Sequence, residues 1–412
     1  MARTGSDRHH PAAGRLQGRS PSGPLRYPRG VRAYLDHAAS APLREQATQA
    51  MLPWLTGVFG NPSGSHQVAR EARRAVEAAR EAVAGALGGR PGEVVFTGGG
   101  TEADFLAVHG VLRHHRAGGR DPGPVVTTAI EHPAVLRAAE SAGVAVRKVP
   151  VRRDGVVDLD AFAAALDPTV SVVSVMLVNN EVGTIQPLEE VASITRRSAP
   201  SAVLHSDAVQ AMPWLDVVQA AAAADLVSVS AHKFGGPQGV GALLVRGATP
   251  LAAVVEGGGQ ERERRGGTHN VAGLAGMAAA ALAQDARRHA EIAGVRSRRD
   301  RLVAGILDAV DGAFTTVPAG TATAAGFAHF CIGGVESEAL LVLLDDAGVC
   351  ASAGSACASG ALHASHVLIA MGVPEEDALG SLRLTLGPTT TDEDVEAVLD
   401  ALPTAVAKLR AS

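Results

Sequence analysis

The chain has 412 residues, 46% hydrophobic but only 3% aromatic, and a net charge of −5. That length supports one large domain with a substantial core plus a smaller companion, filled mainly by alanine, valine and leucine. The small negative charge excludes an electrostatic grip on nucleic acid or anionic membrane, and no apolar run has membrane-spanning or secretion-signal character.

Residues 1–30 hold arginine, proline, glycine and serine with one acid, Asp7, and read as a disordered basic extension. From Val31 the pattern becomes regular. Val68 to Leu87 is alanine-rich with one apolar face and stops at Gly88-Gly89, which predicts a helix with a glycine end. Glu93–Thr97 reads as a strand, Gly98-Gly-Gly-Thr101 as a tight loop, and Glu102–Arg116 as a helix. Apolar runs at 125–130, 144–151, 170–178, 202–205, 226–230 and 240–245 follow, mostly separated by helix-like segments. That alternation predicts an α/β domain on a mainly parallel sheet, over residues 31–285. Beyond 285 come a charged helix, a strand (327–332), a helix (336–347), another strand and a terminal helix. This is expected to be a smaller α+β domain, 286–412, joined by the segment just after residue 31.

Three cysteines, Cys331, Cys350 and Cys357, are too few for a disulfide framework and match no common zinc spacing, which favours a reduced, cytoplasmic protein. Cys331 and Cys350 sit in apolar stretches and read as small buried hydrophobes. Cys357 has glycine- and serine-rich flanks in Ser352-Ala-Gly-Ser-Ala-Cys-Ala-Ser and reads as a thiol on a mobile loop.

The chemistry gathers at predicted strand ends. Gly98-Gly-Gly100-Thr101 places backbone amides and a hydroxyl at a helix N-terminus, a geometry that suits phosphate but also arises for plain steric reasons. In Glu131-His132-Pro the histidine can stack on a flat ring or cap its helix. Val178-Asn-Asn180-Glu supplies amides and an acid where open α/β sheets bind ligands. In His205-Ser-Asp207-Ala-Val-Gln210, Asp207 can hold a pyridinium nitrogen or serve as an N-cap. Ser230-Ala-His232-Lys233 then offers an amine able to form an imine with an aldehyde cofactor, with Ser230 and His232 in reach of its phosphate. Together these are the kit of a pyridoxal 5'-phosphate enzyme. Cys357 adds a nucleophile that can take an atom the cofactor has loosened.

The chain resembles the cysteine desulfurases, within the class V aminotransferase-like group of fold-type I pyridoxal-phosphate enzymes. The resemblance rests on Tyr34-Leu-Asp-His-Ala-Ala, Phe59-Gly-Asn-Pro-Ser, Thr101-Glu-Ala, Val178-Asn-Asn-Glu-Val-Gly-Thr, His205-Ser-Asp-Ala-Val-Gln, His232-Lys-Phe-Gly-Gly-Pro, Gly257-Gly-Gly-Gln-Glu-Arg, Gly354-Ser-Ala-Cys-Ala-Ser and Ser381-Leu-Arg-Leu-Thr-Leu-Gly. The stretch after Cys357, with Ser365-His-Val-Leu, looks like the subgroup serving iron–sulfur cluster assembly and thio-modification.

The resemblance implies a seven-stranded, mainly parallel sheet with a smaller α+β C-terminal domain. It implies that Lys233 holds the cofactor, Asp207 pairs with its ring nitrogen, Gln210 with its hydroxyl, and His132 stacks on the ring. The phosphate falls to the Gly100 amide, Thr101, Ser230 and His232, with Thr268 reaching the phosphate of the partner in a homodimer. Arg383 and Asn180 are expected to bind the carboxylate of L-cysteine, and Cys357 to take its sulfur on to an acceptor protein. A selenocysteine lyase, another class V enzyme and a non-catalytic sulfur-transfer scaffold are the alternatives. Against the usual pattern, Gly98 replaces a serine, Asp104 stands where asparagine is common, Gly267 where serine is usual, and Glu263 where glycine is frequent.

Overall fold

The computed structural model describes residues 30–354 and 364–411. Its centre is a seven-stranded sheet whose spatial order, by first residue, is Val94, Gly241, Leu226, Val203, Val172, Val125, Val146. Gly241–Val245 runs antiparallel to both neighbours and every other pairing is parallel. The strands Val94–Thr97, Val125–Thr128, Val203–Asp207 and Leu226–Ser230 are buried along their whole length; each opens on an apolar pair, and the polar residues that follow lie toward the strand ends.

Alternation divides the two faces. Val95, Val125, Val172, Val203, Leu226 and Leu243 pack with Leu106, Ala107, Val111 and Leu112 of the helix Gly100–Ala117. Val94, Phe96, Val126, Val173, Leu204, Val227 and Leu244 belong to the larger cluster on the other face, with Val76, Ala79, Val83 and Leu87 of the helix Gln67–Leu87. That helix is capped by His66, which accepts from Ala69 N at 3.3 Å, and ends on Gly88 at φ 67, ψ 34.

Three elements differ from expectation. The strand predicted at 170–178 is only Val172–Ser174 as a ladder. The chain stays extended, with Val175 N and Leu177 N donating to His205 O and Asp207 O at 3.1 and 2.9 Å, before Val178 doubles back onto Ile185. The helix after the glycine loop starts at Gly100 and not Glu102, so Gly100 and Thr101 lie in its first turn. Position 285 falls inside one 39-residue helix, Val271–Ala309, which packs against Glu45–Thr56, Gln67–Leu87 and Asp392–Arg410.

The C-terminal part holds a three-stranded antiparallel sheet of Ala313–Thr315, Phe327–Ile332 and Ser381–Thr385. Ala33–Tyr34 pairs in parallel with Val349–Cys350, so the segment after residue 31 reaches across to it. Cys331 is fully buried whereas Cys350 is half-buried. Among the described residues, no helix is long and apolar enough to cross a membrane.

Candidate active site

Carboxyl ends of neighbouring strands converge where an open α/β sheet binds its ligand. At the end of Val94–Thr97 the chain enters Gly98, whose amide donates to Glu102 Oε2 at 2.6 Å. Gly99 lies at φ 152, ψ −178, a conformation that needs glycine. A Cβ on Gly100 would stand 2.8 Å from Val209 Cγ2, so the backbone here must be bare. No side chain caps the helix that follows, which leaves its first-turn amides and dipole facing an open cleft of ≈ 600 Å³. Gly98, Gly99, Gly100, Thr101, Ser230 and His232 all line that cleft, and Ser40 enters it from the N-terminal segment.

His232 Nδ1 lies 3.3 Å from Ser40 Oγ. Burial first, then the charge of Lys233, pushes the imidazole down to about 4, so it meets an anion as a neutral hydrogen-bonding group.

Lys233 closes a single helical turn, Ala231–Lys233, directly after the buried strand Leu226–Ser230. Its Nζ donates to Ala38 O at 2.6 Å and Ala39 O at 2.9 Å. Gln210 Nε2 donates to the same Ala38 O at 2.6 Å, so both side chains converge on one turn of the N-terminal segment. Asp207 ends the buried strand Val203–Asp207 and accepts from Val209 N at 2.9 Å. Burial pushes its carboxyl up, while His132, the Val209 amide and Lys233 pull it down. A cation placed against it relieves that desolvation.

His132 is the N-cap of Pro133–Glu140 and accepts from Ala134 N through Nδ1 at 3.1 Å. The cap reading therefore holds, and it fixes the neutral tautomer with the proton on Nε2. Burial lowers its pKa, which keeps the ring neutral beside Lys233. Capping leaves the ring face available, so the two readings of His132 do not compete.

Arg383 lies in the buried strand Ser381–Thr385. It donates from NH1 to Asn180 O at 2.9 Å and from NH2 to Asp36 Oδ1 at 2.7 Å, while its buried Nε has no hydrogen-bond partner among the described residues. Asn180 thus meets Arg383 through its main-chain carbonyl, a role its residue type did not predict. Thr268 is exposed and does not line the cleft. Cys357 lies outside the described residues. On its C-terminal side, Ser365 Oγ donates to the buried Glu181 Oε2 at 2.5 Å.

Sequence reasoning gave no role to the buried Glu131 or to Asp36. Glu131 is fully buried; its Oε1 accepts from Thr128 Oγ1 at 2.5 Å and Met176 N at 3.0 Å, and Oε2 has no partner among the described residues. Burial pushes it up to about 8 from 4.5, so it is folded in as an uncharged acid. A raised folded pKa contributes stability that is complete below the unfolded value and lost as pH climbs to the folded one. The melting temperature of Glu131→Gln should therefore gain on the wild type between pH values of about 4.5 and about 8, and parallel curves would show that the acid is already ionised. Glu131 beside His132, and Asp36 inside an apolar run, were the available signals.

The donor set fits a flat ring carrying a phosphate, a protonated nitrogen and an aldehyde: a bare glycine cradle with Ser230 and His232 lines the cleft, and a buried carboxylate, Asp207, lies within electrostatic reach of the Lys233 amine. The profile of the Aminotransferase class-V family matches residues 33–398. An IscS-like cysteine desulfurase of Mycobacterium tuberculosis (strain ATCC 25618 / H37Rv) is 44% identical over 384 residues, covering 92% of this chain and 97% of the relative. A cysteine desulfurase of Cereibacter sphaeroides is 42% identical over 393 residues, covering 92% and 97%. A solved NifS-like protein superposes with a TM-score of 0.84 at 31% identity, covering 92% of this chain and all of that one (100%). The chain belongs to the class-V aminotransferase family and, within it, to the cysteine desulfurases.

Proposed function

We propose that the protein is a homodimeric, cytoplasmic cysteine desulfurase that uses pyridoxal 5'-phosphate to move sulfur from L-cysteine to Cys357 and on to an acceptor protein. The observation that carries this is the grouping of Asp207, His132 and Lys233, close enough to shift one another's protonation, with Lys233 directly following Ser230 and His232 of the cleft at Gly98–Thr101. The reading divides the chain into a cofactor-binding part, 31–285, and a smaller part, 286–412, that share the helix Val271–Ala309.

Lys233 would tether the cofactor, Asp207 would keep its ring nitrogen protonated, Gln210 would meet its hydroxyl, and the His132 ring would lie against its face. The Gly100 amide, Thr101, Ser230 and His232 would hold its phosphate, with Thr268 of each chain reaching the phosphate held by its partner. Once bound, the cofactor supplies an electron sink for Cα of the substrate. Lys233, released by the incoming amine, then moves a proton at that Cα. Arg383, held by Asp36 and the Asn180 carbonyl, would offer its unpartnered Nε–H and its positive charge to the substrate carboxylate. The Cys357 thiolate attacks the substrate sulfur: an S–S bond forms, the C–S bond breaks with its electron pair left on carbon, and protonation there gives L-alanine. No external reductant enters until the persulfide is unloaded.

Purified protein should be yellow and should convert L-cysteine to L-alanine, with one sulfide per alanine when a thiol reductant is supplied. A colourless protein that yields no alanine would overturn the proposal. Arg383→Lys keeps the charge but loses the planar fork. It should raise KM for L-cysteine about tenfold, about 1.4 kcal/mol, with visible absorbance unchanged. An unaltered KM removes Arg383 from the substrate site.

A further inference from the structure

Two carboxylates outside this chemistry tie the phosphate cradle to the segment that carries Thr268. Glu102, in the first turn of Gly100–Ala117, accepts from Gly98 N at 2.6 Å and from Arg265 Nε and NH2 at 2.7 and 3.1 Å. Glu261 is 5% exposed and accepts from Arg80 NH1 and NH2 at 2.7 and 2.8 Å, from Phe96 N at 3.0 Å and from His269 Nε2 at 2.6 Å. Phe96 belongs to the strand that feeds the cradle, while Arg265 and His269 flank Thr268 on either side. Each acid therefore grips the cradle with one set of contacts and the Thr268 segment with another.

The segment is held against its own preference. Glu261, Arg262 and Glu263 take φ values of 50°, 56° and 63°, three successive side-chain-bearing residues in the left-handed region. Such a run persists only where its surroundings over-determine it, and strain of this kind concentrates at functional sites. The four bonds to Glu261 supply that determination. Burial would push this acid up, but Arg80 and His269 hold it down to about 2, so it stays ionised. The guanidinium of Arg80 also lies 4.7 Å from the centre of the Phe96 ring, which locks the inner end of the joint. At the outer end, Arg265 and His269 are only partly buried and Thr268 is exposed, so the free end of the joint is the threonine.

We propose that Glu102 and Glu261 are positioning residues that couple a chain's own phosphate cradle to its Thr268, so that filling one site of the dimer tightens the other. This rests on the reading above that Thr268 serves the partner's phosphate. Glu102→Gln keeps an acceptor for Gly98 N but loses the charge that holds Arg265. His269→Phe cuts Glu261 from the segment and leaves the buried Arg80 pair intact, which Glu261→Gln would not.

The test titrates pyridoxal 5'-phosphate into cofactor-free protein and follows visible absorbance. The wild type should bind with a Hill coefficient above about 1. Each variant should bind about tenfold more weakly, with the coefficient falling to about 1. Adding either change to Thr268→Ala should weaken binding no further than Thr268→Ala alone, because all act through one contact. Non-cooperative wild-type binding, wild-type affinity in the variants or in Thr268→Ala, or losses that add fully would each overturn the coupling. Wild-type protein that takes up no pyridoxal 5'-phosphate would refute the functional reading instead.

Discussion

Replacing Lys233 with alanine should leave the purified protein without its visible absorbance and cut alanine formation at least about 1000-fold, since tether and proton carrier go together. The expectation follows from position. Lys233 comes directly after a fully buried strand, and its amine is fixed on the carbonyls of Ala38 and Ala39 within reach of the charge on Asp207. Gln210 still donates to Ala38 O in the variant, so the N-terminal segment keeps one of its anchors. The two lost hydrogen bonds are worth on the order of 1 kcal/mol each, too little to unfold a chain of this size. Melting temperature should therefore change by only a few degrees while the colour disappears. Lys233→Arg separates charge from tether: its guanidinium restores the cation near Asp207 but not the colour. A yellow Lys233→Ala protein would remove Lys233 from the anchor position.

The strands were legible because they are buried on both faces. A run such as Gly241–Val245 has no polar interruption to blur its limits, and Leu226–Ser230 is broken only by small, buried serines. Chemistry at strand ends was legible for a related reason: a histidine, aspartate or lysine that closes an apolar run has no solvated face to occupy. The long helix Val271–Ala309 was harder. Its first half buries Ala272, Leu274, Met277, Ala280 and Ala281, and its second half is studded with arginine, so a change of environment reads as a change of element. The acids that hold the site together were visible as residues, but their partners were not. Arg383 pairs with Asp36 across 347 positions and Arg80 with Glu261 across 181, and no local pattern encodes such distant partners. His132 shows the opposite case, where the cap that the local sequence allowed is formed through one ring nitrogen and uses nothing of the ring face.

Cys357→Ala should keep the colour of the wild type and lose at least about 1000-fold in alanine and sulfide formation, as expected when the nucleophile alone is removed. The two described cysteines explain why no other thiol substitutes. Cys331 is fully buried and Cys350 half-buried, and burial pushes both thiols up, away from the reactive thiolate. Lys233, Asp207 and Arg383 are untouched by the change, so L-cysteine should still bind and still perturb the visible spectrum. The reaction should then stop before the C–S bond breaks, because the electron pair of that bond can move to carbon only as another sulfur takes its place. A spectrum that responds to L-cysteine with no alanine released is thus the expected pairing. Alanine and sulfide formed at the wild-type rate would show that sulfur leaves without Cys357, and the transfer step assigned to it would be wrong.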